Sequence, residues 1–215
     1  MSMAYEDTGR TQQKHRTRAA LIAAARQLIA DGLTTPTVEE TAEAAGISRT
    51  TAYRYFANQA ALVATAHPEI ELRSMLPDDA PADPVARLDE VITAFIDLIV
   101  DTEPQQRATL RLSLDLDPKR GDRLPLRQGR AIGWIGEALA PLRSAFDDDQ
   151  LRQLVFAIRS ATGIEALVWL TDIAGLTREQ AAALMKWSAH AMLRSTINGD
   201  PPPQRRATRR RQRRR

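Results

Sequence analysis

The chain has 215 residues, of which 43% are hydrophobic and 27% are charged. This balance is typical of a soluble globular protein, and the length allows a small domain and a larger one. The chain contains no cysteine, which excludes disulfide bonds and thiolate metal ligands. No apolar run approaches the roughly 18 residues of a transmembrane helix, and the N-terminus lacks a signal-peptide core, so we expect a cytoplasmic protein without a membrane partner.

The charge is distributed unevenly. The net charge is +3, but residues 204–215 contain eight arginines and no acid, so the first 203 residues carry a net charge of −5. The basic character therefore belongs to the C-terminal tail, which we expect to be disordered. It does not by itself predict that the folded body binds nucleic acid.

Apolar residues recur at helical spacing along most of the chain, and no segment alternates apolar and polar residues. The predicted fold class is therefore all-α. A first amphipathic helix is predicted from Thr11 to Asp31, with Gly32 as its stop signal. Further helices are predicted at 84–102, 105–115, 124–144, 148–173 and 177–197.

The segment 37–56 is the most informative part of the sequence. Thr37 and Glu40 form a Thr-x-x-Glu capping box, which predicts the start of a short helix. Gly46 predicts a tight turn after that helix, and Ser48 can cap the next one. Two short helices joined by such a turn indicate a helix-turn-helix motif, whose second helix enters the DNA major groove.

The outward-facing positions of the second helix carry arginine, threonine and tyrosine and no acidic residue. Arginine can bind guanine with two hydrogen bonds, while threonine and tyrosine hydroxyls suit phosphate oxygens. The alternative is a solvated helix with incidental polar residues, which the capping box and the glycine turn disfavour. The predicted DNA-contacting residues on this helix are Arg49, Thr50, Thr51, Tyr53, Arg54 and Tyr55.

Several short runs in the N-terminal part carry a family resemblance, namely Arg18–Ala25, Gly32, Thr37–Val38, Ala45–Ser48 and Ala52–Phe56. Over residues 14–66 the chain resembles the TetR family of bacterial regulators. The resemblance implies a three-helix DNA-binding domain, a divergent helical ligand-binding domain, and a dimer formed by the last two long helices.

The resemblance also implies roles for single residues. Arg49, Thr50 and Arg54 would face bases. The residues that would hold phosphates are Thr37, Thr51, Tyr53 and Tyr55. Gln59 stands where the family usually has a lysine at the start of its fourth helix.

The C-terminal region is predicted to bind a small molecule and to dimerise. Helix 148–173 is apolar nearly all round, so it needs partners on both faces, and together with helix 177–197 it suits a two-fold dimer seam. Monomeric core packing is the alternative. The candidate pocket residues are Phe95, Arg111, Arg130, Trp134, Glu165 and Trp169.

For three of these candidate pocket residues a purely structural role is the alternative, and taken singly we favour it over ligand recognition. Trp134 and Trp169 can be core side chains. Glu165 needs a basic partner if it is buried, and Arg111, Arg127 or Arg130 could provide one, so a structural ion pair competes with ligand recognition.

We predict a helix-turn-helix domain at 11–60, a ligand-binding and dimerisation domain at 61–200, and an arginine-rich tail at 201–215. The expected function is that of a homodimeric repressor that binds a palindromic operator in double-stranded DNA and is released by a small-molecule effector. No enzyme activity, cofactor or metal is expected, because the three histidines are far apart in sequence and no nucleophile motif occurs. The alternative is a non-specific nucleic-acid-binding protein driven by the tail.

Overall fold

A computed structural model describes residues 3–33, 35–66, 72–114 and 129–203. These residues form helices and connecting turns, and none of them forms a strand, which confirms the predicted all-α class. The α-helices are α1 (Met3–Ala30), α2 (Val38–Ala44), α3 (Arg49–Tyr55), α4 (Gln59–Ala66), α5 (Pro84–Asp101), α6 (Glu103–Leu114), α7 (Arg130–Ala138), α8 (Asp148–Thr162), α9 (Ile164–Val168) and α10 (Arg178–Ile197).

The first of two compact units comprises Met1–Arg73 and Asp101–Gln128. Within it α1 contacts α2, α4 and α6, and α2 contacts α3. Burial of apolar side chains from α1 to α4 fixes the orientation of α3. The buried core residues are Leu21, Ala25, Ile29, Val38, Ala42, Ala52, Phe56, Leu62 and Ala66.

Helix α1 begins at Met3, earlier than the predicted start at Thr11. It ends as predicted, because Gly32 adopts a φ of +98°, which favours glycine. The backbone N–H of Leu33 then donates to the carbonyl of Leu28 at 2.9 Å, which closes the end of the helix.

The domain boundary predicted after residue 60 falls inside α4. Leu62 and Ala66 from this helix are buried in the core of the first unit. The compact units therefore divide the chain differently from the predicted domains, whose boundaries remain a prediction.

The second unit comprises Ser74–Val100 and Gly129–Arg215. In this unit α8 contacts both α7 and α10, and α10 also contacts α9. Helix α10 agrees with the prediction for 177–197 and begins with a capping box at Thr177. The buried face of α5 consists of Leu88, Val91, Ile92, Phe95, Ile96 and Ile99.

The predicted single helix 148–173 is wrong in one respect, because the helix is interrupted at Gly163. This glycine is extended, with φ −88° and ψ 177°, between the end of α8 and the start of α9. A side chain at Gly163 would collide with the guanidinium of Arg159, whose Nη1 lies 3.4 Å from Oε2 of Glu165. After α9 the backbone continues as a π-helical turn, Trp169–Ile173.

The predicted helix 124–144 also ends earlier than expected, since α7 ends at Ala138. Helix α7 is followed by a 3-10 turn, Ala140–Ser144, because Pro141 has no N–H to offer the carbonyl of Glu137. Arg87 from α5 donates to this carbonyl instead, at 3.1 Å. Residues 124–128, which include Arg127, and the arginine tail from 204 lie outside the described residues.

Candidate nucleic-acid interface

The turn between α2 and α3 has the predicted geometry. Thr37 caps α2, since its Oγ1 accepts from the N–H of Glu40 at 3.1 Å and its own N–H donates to Oε2 of Glu40 at 2.8 Å. Gly46 has a φ of +64°, and the next N–H, that of Ile47, donates to the carbonyl of Ala42 at 2.8 Å. The structure confirms both the capping box and the glycine turn.

Helix α3 begins at the cap residue Ser48, whose Oγ accepts from the N–H of Thr51 at 3.3 Å. One side of the helix is anchored, since Ala52 is fully buried and Phe56, which follows the helix, is 3% exposed. The opposite side is exposed to solvent over much of its length. It exposes Arg49, Thr50, Tyr53 and Arg54, while Thr51 and Tyr55 are half-buried.

The structure adds Glu39, a residue that the sequence analysis missed. Tyr53 donates its hydroxyl to Oε1 of Glu39 on α2 at 2.6 Å. This hydrogen bond is the main reason why the pKa of Glu39 lies below its ordinary value, and the positive charge of Arg49 lowers it further. The same bond raises the pKa of Tyr53, so the pair is a carboxylate and a neutral phenol at neutral pH.

Thr37 also has its hydroxyl engaged, since Oγ1 donates to Oε2 of Glu40 at 2.8 Å. The two hydrogen bonds from Thr37 hold the pKa of Glu40 below its ordinary value. Of the hydroxyls predicted to hold phosphate, those of Thr37 and Tyr53 therefore already donate to carboxylates of α2. Their contact with phosphate remains a prediction.

Helices α1 and α4 support this motif through polar contacts. Asn58 caps α4 as its position suggests, accepting from the N–H of Ala61 at 2.8 Å. Gln59 donates from its side-chain amide to the carbonyl of Thr35 at 2.6 Å and so ties the start of α4 to the loop before α2. On the other side, the Arg18 guanidinium lies 5.6 Å from the centre of the Phe56 ring.

A model of the family described as "Bacterial regulatory proteins, tetR family" matches residues 21–66. Residues 21–66 therefore form a TetR-family DNA-binding domain. The match runs from Leu21 in α1 through the α2–α3 turn to the end of α4, and it makes this TetR-family protein a DNA-binding transcriptional regulator. Comparison with curated proteins found no match.

The second unit contains most of the candidate pocket residues of this TetR-family protein. Phe95 and Trp134 are buried, with their rings 6.1 Å apart in an edge-to-face arrangement. Arg130 and Glu165 are half-buried, while Trp169 is 58% exposed. Arg111 is an exposed residue of the first unit.

Glu165 has a basic partner other than those predicted for it. Its Oε2 lies 3.4 Å from Nη1 of Arg159, six positions earlier in the chain. The same guanidinium lies 5.5 Å from the centre of the Phe95 ring. The break at Gly163 brings Arg159 close enough for this contact. A further pairing of Glu165 with Arg111, Arg127 or Arg130 stays a prediction, and Arg127 lies outside the described residues.

A cleft of about 190 Å³ lies between α7 and α8, and none of the six candidate pocket residues lines it. Leu139, Leu151 and Val155 form its apolar floor, and Arg143 and Arg152 are exposed at its edge. Apolar walls with a few polar groups are the usual composition of small-molecule sites. The six-residue pocket remains a prediction beside this cleft.

Within the described part of the chain, one helical segment, Asp148–Ile173, is long and apolar enough to pass a composition test for a membrane span. Part of it is buried in the second unit, where Leu154, Ile158 and Leu167 are inaccessible to solvent. Core helices pass the same test, so the finding is weak evidence for a membrane segment.

Proposed function

We propose that this TetR-family regulator is a homodimeric repressor, located in the cytoplasm, that binds a palindromic DNA operator and is released by a small molecule. The observation that carries the proposal is the exposed face of α3, where Arg49, Thr50 and Arg54 are free to enter a groove while Ala52 anchors the helix. Side chains on such a helix read base edges in the major groove.

Exposed apolar residues support dimerisation through the C-terminal helices. Trp169 and Ile173 after α9 are 58% and 73% exposed, and Leu184 and Trp187 on α10 are 40% and 62% exposed. An exposed set of large apolar side chains marks an interaction surface, and tryptophan is enriched at the energetic centres of interfaces. We propose a second copy of this chain as the occupant, since the two helices then form a self-complementary two-fold seam.

Release by a small molecule requires two states with different DNA affinity and an effector that binds one of them better. The second unit supports this part of the proposal with the α7–α8 cleft and with the Arg159–Glu165 pair over Phe95. Arg152 is paired with Asp149 at 2.6 Å and Asp148 also lines the cleft, so Arg143 is the group we propose for an effector with a carboxylate or similar anion.

Selection of binding sites from random duplexes, followed by footprinting, tests the operator. We expect an inverted repeat with half-sites about one helical turn apart. Arg49→Ala should abolish the sequence preference at one base position of each half-site, whereas the matched control Arg143→Ala, in the second unit, should leave the selected sequence unchanged. Protection of a single unrepeated site would contradict the dimeric operator.

The arginine tail supports the second candidate function, a non-specific nucleic-acid-binding protein. Eight arginines without an acid would release many counterions from any DNA. A chain truncated after residue 203 distinguishes the two candidate functions. If α3 reads the DNA, the truncated chain should still select the same duplex sequence, whereas a non-specific binder driven by the tail should select none.

A further inference from the structure

The tyrosine on the DNA-facing side of α3 has a partner within the protein. Tyr53 is 44% exposed, yet its hydroxyl donates to Oε1 of Glu39 at 2.6 Å across the α2–α3 turn. A hydroxyl–carboxylate bond of this length is charge-assisted and stronger than a bond between neutral groups. Any other acceptor must therefore compete with the carboxylate for the single proton of this hydroxyl.

The α2–α3 pair does not depend on this bond for its geometry. Ala42 and Ala52 are buried between the helices, and the N–H of Ile47 donates to the carbonyl of Ala42. Interactions between exposed polar groups contribute little to stability in comparison. The Tyr53–Glu39 bond therefore mainly affects which other groups the hydroxyl and the carboxylate can bind at the protein surface.

We propose that Glu39 is a positioning residue that competes with DNA phosphate for the Tyr53 hydroxyl and thereby lowers affinity for DNA in general. This inference rests on the proposed DNA contact of α3. A phosphate that approaches Tyr53 meets a carboxylate beside a hydroxyl whose proton is already donated. Contact then requires an exchange of partners and brings two negative charges close together.

The competition favours discrimination between sequences. Phosphate contacts are the same on every duplex, so a penalty on one of them weakens binding to all DNA. On a cognate site, base contacts from Arg49 and Arg54 hold the backbone in place and make the exchange favourable. On other sites these base contacts are absent, and Glu39 keeps the hydroxyl.

A double-mutant cycle with the full-length protein tests the competition, using a mixed-sequence duplex at fixed low salt as the probe. Tyr53→Phe in the wild-type background should change the affinity by about twofold or less, because the hydroxyl is already engaged. In the Glu39→Ala background the freed hydroxyl can donate to phosphate, and Tyr53→Phe should then weaken binding by about five- to tenfold. Glu39→Ala alone should strengthen binding.

A purely structural role predicts the opposite order. If the bond only held α3 in place, Tyr53→Phe would weaken binding in the wild type and would have no further effect in Glu39→Ala. That result would overturn the inference. Glu39→Gln provides a second variant, whose side chain has the same length as that of Glu39 but no charge. Circular dichroism verifies that each variant keeps its helices.

Glu43→Ala is the matched control for charge. Glu43 is an exposed acid one turn further along α2, so its removal changes the net charge equally. In the Glu43→Ala background, Tyr53→Phe should weaken DNA binding by about twofold or less, as in the wild type. If Tyr53→Phe instead weakened binding as strongly as in the Glu39→Ala background, the competition would be refuted. A wild-type protein that binds no duplex contradicts the proposed function itself, whereas DNA binding without coupling contradicts only this inference.

Discussion

Replacement of Trp187 by alanine tests the proposed dimer surface most directly. This side chain on α10 is 62% exposed in the single chain. A tryptophan buries about 150–250 Å² when fully enclosed, so covering the exposed part contributes about 2–4 kcal/mol at roughly 25 cal/mol per Å². A two-fold dimer contains this residue twice, so the loss is about 4–8 kcal/mol, and we expect Trp187→Ala to raise the dimer Kd by about a thousandfold or more.

Sedimentation or light scattering over a range of protein concentrations measures this Kd. Because Trp187 is exposed, the helical content of the separated chain should stay unchanged, which circular dichroism verifies. Leu33→Ala is a suitable control, since Leu33 is a 39%-exposed residue of the first unit and should leave the Kd as it is. If Trp187→Ala and Trp187→Glu both keep the wild-type Kd, the surface around Trp187 is not the dimer seam.

Further predictions concern the DNA-binding motif and the tail. Arg49→Ala should cost about 1–3 kcal/mol on a selected operator, measured by titration of labelled duplex, and unchanged affinity would mean that α3 is not the reading helix. Gly46→Ala should lower the free energy of unfolding in urea titrations by about 1 kcal/mol, because of the φ of +64°. An added Cβ would meet no atom within 4 Å, so no clash contributes. Gly46→Asn should lower the free energy of unfolding by less, because asparagine tolerates this conformation better. Deletion of residues 204–215 should reduce the salt slope of DNA binding by about two to four, and an unchanged slope would exclude the tail from DNA binding.

The parts of the fold that local sequence determines were predictable. The capping box at Thr37 and the glycine turn at Gly46 depend on residues at most five positions apart, and both are present as expected. The buried set of α1, α2 and α3 follows from helical spacing in the same way. These features are enough to place the recognition helix on a supporting core.

Features that depend on contacts between helices were not predictable from spacing. Glu39 reaches Tyr53 only because the turn at Gly46 brings α2 beside α3, and the two residues are fourteen positions apart. The break at Gly163 was missed for a related reason. An apolar pattern continues across it, and spacing does not show that the Arg159 guanidinium occupies the place that a side chain at position 163 would need.

The distribution of charge predicts different roles for helix α3 and the tail in DNA binding. The first 203 residues carry a net charge of −5, which opposes the approach of DNA, so we expect attraction to depend on a local face with Arg49 and Arg54. Glu39 weakens that local attraction further. We expect the eight arginines from residue 205 onward to supply most of the long-range attraction, which acts on the association rate, and base contacts of α3 to act on dissociation. A chain without its tail should therefore reach the operator more slowly and leave it at nearly the same rate.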